Sequence, residues 1–228
     1  MEFFSRSPST IIIPVDSIEN WREQFLQRLR DKTKLSLVRQ TGSSTSKDLY
    51  IDRNRKEAFL VIIDLSSPNH KRQVQSQIEF YERYSRDRVF TSVVVPMTSK
   101  LVMKYRDREE NVGMSQDYYG TDLREFRNKR GKISDDQIEE FVNNYQRLID
   151  HTGYSHGDLF LSMGVAPVVQ WEHIRMGNKG LKLIDYNGQG GNITVGPERY
   201  SPMDPDYSTI RNQEPNALRV ALKHFVNR

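Results

Sequence analysis

Two aspartates in this sequence stand where carboxylates can do work. Asp158 falls in His156-Gly157-Asp158-Leu159, just past a long apolar stripe, and Asp185 falls in Lys182-Leu183-Ile184-Asp185-Tyr186-Asn187, at the end of a short apolar run. Transfer of a phosphoryl group asks little covalent help of a protein. It needs an aspartate to orient the attacking group and carboxylates to hold Mg²⁺ on the nucleotide phosphates. Two loop aspartates, each following an apolar element, meet that need. The competing reading is that an aspartate after a strand serves as a turn or cap residue.

The elements that must carry these loops follow from periodicity. Asp16 or Ser17 is placed to cap a helix on which Ile18, Trp21, Phe25 and Leu29 recur at helical spacing. Leu35 to Val38, Leu49 to Ile51, Ala58 to Leu65, Phe90 to Val95 and Leu101 to Tyr105 are short and rich in branched or aromatic residues, which predicts five strands of one antiparallel sheet. A polar stretch from Asn69 to Arg86 carries Val74, Ile78 and Tyr81 on one face, so a helix interrupts that sheet. Asn111 to Gly120 reads as a polar loop. Ser134 with Gln137 fits a capping box. Behind it Ile138, Phe141, Val142, Tyr145, Leu148 and Ile149 form the stripe of a buried helix, which Gly153 ends. Pro215 is expected in the first turn of a last helix bearing Leu218, Leu222 and Phe225.

Strands, one helix, two more strands and then helices is the element order of the protein-kinase-like fold. The segment Ile149 to Leu159 resembles the lead into its catalytic loop, in the His-Gly-Asp form frequent in aminoglycoside-type kinases, and Lys182 to Asn187 resembles its metal-binding segment. The resemblance implies an α+β, two-lobed fold: a five-stranded antiparallel lobe over residues 1–112 and a truncated helical lobe over 113–228, with the two aspartates on facing loops at their junction. It implies Asp158 as catalytic aspartate, His156 as the histidine stabilising its loop, and Asp185 as Mg²⁺ or Mn²⁺ ligand. Gly42, Ser43 and Ser44 would cover the ATP phosphates with backbone N–H groups.

This sequence departs from the pattern in several places. Met163 stands where an asparagine would bind a second metal ion, and a thioether is a poor ligand for Mg²⁺. Asn187 replaces a glycine and offers a carbonyl ligand in partial compensation. The third strand lacks the phosphate-pairing lysine, whose place falls near Ile63 or Asp64. Lys47, opening the second strand, would stand in for it, with Glu79 or Glu82 on the next helix as its partner. The competing readings are a solvated lysine and exposed helix glutamates. The interval between the aspartates is lengthened, with Trp171 to Gly180 forming an extra hairpin, and the chain after Asp185 is short, as in minimal kinases of bacterial effectors and some viruses.

Composition bounds the rest. With 228 residues, 36% hydrophobic and 28% charged, the chain can form one sizeable core. It holds no cysteine, which excludes disulfides and thiolate chemistry and suits the cytoplasm, or a host cytoplasm reached by secretion. No apolar run is long enough to span a bilayer. The formal charge of +4 is spread among interleaved acids and bases, so nucleic acid is a poor candidate for the main partner. The expectation is a phosphotransferase acting on a protein hydroxyl. The alternative is a pseudokinase that retains the fold as a binding module.

Overall fold

The computed structural model describes residues 8–33, 37–40, 47–52, 56–156, 159–163, 166–169, 171–184 and 205–226. Its class is α+β, and the chain divides into two compact units. The first takes residues 1–86 and 96–118, the second residues 87–95 and 119–228.

The first unit contains β1 (Ser9–Pro14), α1 (Trp21–Thr33), β2 (Leu37–Gln40), β3 (Lys47–Asp52), β4 (Glu57–Ile62), α2 (Pro68–Tyr84), β5 (Met97–Tyr105) and β6 (Arg108–Asp117). Its sheet has six strands in the order β1-β5-β6-β4-β3-β2. The expected wholly antiparallel, five-stranded sheet is therefore corrected. The segment around Ile11 to Ile13 joins the edge as β1 and runs parallel to β5, because α1 intervenes before the chain returns to the sheet. The β2–β3–β4–β6–β5 pairings are antiparallel. The register sets Lys47 opposite Ile62 and Leu49 opposite Leu60, so these residues share one face. That face meets α2. Asp48 and Tyr50 take the other face, where Arg22 of α1 donates to the Asp48 carboxylate and, at 3.2 Å, to the Tyr50 hydroxyl. The sheet thus has a helix on each side. Trp21, Phe25 and Leu29 are buried as expected, but α1 begins at Trp21, so neither Asp16 nor Ser17 caps it, and Ile18 is 45% exposed.

Two elements differ from the expected pattern for local reasons. The loop foreseen at Asn111 to Gly120 is largely β6. Its polar residues find partners inside the sheet, Ser115 pairing with the Thr98 hydroxyl at 2.8 Å, so a central strand here need not look apolar. A Cβ on Gly113 would sit 1.9 Å from the Leu60 carbonyl oxygen, which explains a glycine in mid-strand. The strand foreseen at Phe90 to Val95 is mostly helical. Asp87 caps it, accepting from the Val89 and Phe90 N–H groups, and Val94 after it is extended.

The second unit holds that helix, α3 (Arg88–Val93), then β7 (Thr121–Asp122), α4 (Leu123–Asn128) and α5 (Asp135–Thr152). It continues with β8 (Phe160–Met163), β9 (Ala166–Val169), β10 (Ile174–Gly177), β11 (Gly180–Leu183) and α6 (Pro205–Val226). The Ser134–Gln137 capping box forms, with reciprocal bonds of 3.0 and 3.2 Å, and Gly153 ends α5 in the left-handed region at φ 77°. The six apolar residues of the stripe are all buried. β10 and β11 form a hairpin, but its second strand is Gly180–Leu183, so it takes in the strand leading to Asp185 rather than lying within the expected Trp171 to Gly180 span. Pro215 lies inside α6 rather than in its first turn, which Pro205 opens instead; Leu218 and Leu222 are buried. No helix among the described residues is long and apolar enough to cross a membrane.

Candidate functional site

Lys47 is the first candidate the structure sharpens. Despite its charge it is only 5% exposed, and its Nζ donates to Gln77 Oε1 at 2.6 Å from the inward face of α2. An ammonium taken out of bulk water needs such oxygen partners. Lys47 is not the solvated lysine of the competing reading. The helix residue it meets is Gln77 rather than Glu79 or Glu82. Glu79 is exposed and accepts from Gln75 at 2.6 Å; Glu82 pairs with Lys100. The helical phase decides this, since 77 falls with Val74, Ile78 and Tyr81 on the buried side. Asp64 stands just beyond β4 in a local turn, accepting from the Ser66 N–H and hydroxyl, both at 2.7 Å. The hydroxyl bond, followed by the N–H bond, holds its carboxyl below the usual value. Gly42, Ser43 and Ser44 lie outside the described residues.

In the second unit His156 is fully buried, and its Nε2 lies 2.9 Å from the Ile184 carbonyl oxygen. A carbonyl can only accept, so Nε2 carries the proton and the tautomer is fixed. This bond joins two segments distant in sequence: His156 precedes Asp158 by two residues, and Ile184 immediately precedes Asp185. Asp158, Asp185 and Asn187 themselves lie outside the described residues. The β11 end of the bond is pinned from several directions. The Ile184 N–H donates to the His173 carbonyl at 3.0 Å, the Val95 N–H donates to the Leu183 carbonyl at 2.9 Å, and the His173 ring meets that of His156 edge to face at 4.9 Å. Lys182 donates to the Thr91 carbonyl of α3; burial, then the like charge of Lys179, brings its amine down to about 8.

A second set of polar residues supports the same segment and escaped the sequence reading. The His156 N–H donates to the Tyr145 hydroxyl at 2.9 Å, and that hydroxyl donates to Glu214 Oε1 at 2.6 Å. Ser155 also hydrogen-bonds the Glu214 carboxyl, which burial pushes up to about 7 against these two bonds. Part of the Glu214 residue reaches the surface, but its carboxyl end is enclosed. Tyr145 reads in sequence as one more residue of the apolar stripe, and nothing local marks Glu214, so only the packing of α6 on α5 brings them together.

Among the described residues no group of three or more His, Cys, Asp or Glu side chains is placed to hold a metal ion. No protein-family model and no curated protein matches the sequence.

Proposed function

We propose that this protein is a compact kinase-like phosphotransferase that moves the γ-phosphate of ATP to a hydroxyl acceptor on a protein. The observation that carries this reading is the hydrogen bond from His156 to the Ile184 carbonyl. It fastens the lead of one aspartate-bearing loop to the lead of the other, as a shared phosphate site requires. The buried Lys47, held by α2, is a cation that the reading would assign to the phosphates. On this reading Asp185, with Asn187, would hold Mg²⁺ or Mn²⁺, and Asp158 would orient the acceptor hydroxyl. The backbone of Gly42 to Ser44 and the Lys47 ammonium would meet the phosphates. A cysteine-free chain suits the reducing cytoplasm in which such a reaction would run.

One residue favours a second reading, a nucleotide-binding pseudokinase. Met163 offers no hard ligand for a second metal ion. One experiment separates the two. Calorimetric titration with ATP and Mg²⁺ or Mn²⁺ is run beside a radiolabelled transfer assay offering protein and small-molecule hydroxyl acceptors. The enzyme binds and transfers; the pseudokinase binds only. Absence of binding under every metal condition overturns both.

A further inference from the structure

We propose that Glu214 is a positioning residue: through Tyr145 it fixes the main chain at His156, so that α6 sets the geometry of the segment leading to Asp158. The positioning itself stands on the geometry below, and its kinetic consequence rests on the phosphotransferase reading.

Three separate stretches of chain contribute to this arrangement. Gly153, in its left-handed conformation, ends α5 and is followed by Tyr154 to His156. The His156 N–H comes to the Tyr145 hydroxyl, on the helix just ended. A phenol has a single proton to give, and here it is committed to Glu214, which leaves the phenol oxygen lone pairs to accept from His156. Glu214 therefore decides which way the Tyr145 hydroxyl points. Tyr145 and His156 are wholly buried and Ser155 nearly so, so the His156 N–H meets the phenol away from bulk water. Leu218 and Leu222, both buried, anchor α6 one and two turns further on. A carboxyl enclosed among two hydroxyls contributes little to packing that a leucine would not supply better, and its specific contribution is directional.

The test uses the full chain and compares Glu214→Leu, Tyr145→Phe and Glu214→Gln with the parent. Amide hydrogen exchange is read at His156 and, as reference, along α5. Loss of one buried hydrogen bond is expected to speed exchange at His156 about tenfold or more in the Leu and Phe variants while α5 keeps its protection. Glu214→Gln, whose amide oxygen can still accept from Tyr145, should restore it. In the transfer assay the same two variants should lose kcat with the KM for ATP unchanged, because the segment they loosen leads to Asp158 rather than to the phosphate-binding groups. Exchange at His156 equal to the parent's in both variants, or a uniform rise across α5, would overturn the proposal, since either marks a residue that only packs. Should the parent transfer no phosphate, the kinase reading falls on that result alone, and exchange at His156 still decides whether Glu214 positions this segment.

Discussion

At the scale of single residues, charge and burial pull against each other at Lys47. Lys47→Met keeps most of the stem but deletes the ammonium and withdraws a donor from the buried Gln77. We expect a loss of about 1–3 kcal/mol in urea unfolding, the usual cost of stranding a buried polar partner. On the kinase reading, ATP affinity should fall by more than this loss of folded protein accounts for. Affinity that merely tracks stability would assign Lys47 a structural role. Asp87 offers a second residue-scale test. Burial works to raise its carboxyl, but the Phe90 N–H, the His151 ring and the Val89 N–H together outweigh burial, so it titrates below its ordinary value. A depressed folded value means its contribution is complete above the unfolded value near 3.8 and fades as the pH falls through the folded one. Asp87→Ala should cost about 1 kcal/mol at neutral pH through the lost cap of α3. That deficit should shrink in acid unfolding curves as the pH falls below about 4, where the unfolded chain takes up a proton that the folded carboxylate still resists.

At the scale of elements, α5 and α6 carry the consequences. Gly153 sits at φ 77° with open space where a side chain would go, so Gly153→Ala should cost about 1 kcal/mol through backbone strain alone, with no steric addition. Thermal denaturation of that variant measures it. The Glu214 carboxyl ties the two helices into a pH dependence. It titrates at about 7 in the folded chain against 4.5 ordinarily, so between these values the folded state keeps a proton that the unfolded chain releases. Stability must therefore fall as pH rises from about 4.5 to about 7 and be level beyond. Urea midpoints at intervals from pH 5 to 8 should show this decline in the parent and lose it in Glu214→Gln, whose side chain cannot ionise. A parent curve that matches the variant's would show the carboxyl to be better solvated than its enclosure indicates.

For the whole molecule, the kinase reading links nucleotide binding to folding. A ligand that binds only the folded chain at a hundredfold excess over its Kd stabilises it by about 2.7 kcal/mol. Saturating ATP with Mg²⁺ should therefore raise the parent's melting temperature by several degrees. Asp185→Ala should abolish the metal-dependent part of that rise, since a metal ligand acts in the ground state. Asp158→Ala should keep the rise and lose phosphate transfer, because orienting an acceptor matters on the way to the transition state. A thermal-shift series with each metal reads both. An Asp185→Ala variant that keeps its full Mg²⁺-dependent rise would remove that aspartate from the proposed site.

The sequence by itself determined the elements whose signals are local. The Ser134–Gln137 box, the stripe from Ile138 to Ile149 and Gly153 together define α5, because capping and helical periodicity are written in neighbouring residues. The buried side of α2 was legible for the same reason. Tertiary structure decided what depends on distant partners. β6 hides its polar residues because Thr98 and neighbouring strands satisfy them, whereas the Asp87 cap that makes Phe90 to Val93 helical is a local signal masked by the branched residues after it. Lys47 is a buried amine rather than a surface one because the strand register turns it toward Gln77, a residue 30 positions away. The candidate site divides along the same line. The aspartate motifs could be read from sequence, whereas the bond from His156 to the Ile184 carbonyl and the support from Tyr145 and Glu214 join groups 28, 11 and 69 positions apart. A hydrogen bond between such groups leaves no periodicity in the chain. It exists only once packing has brought donor and acceptor together and shut water out.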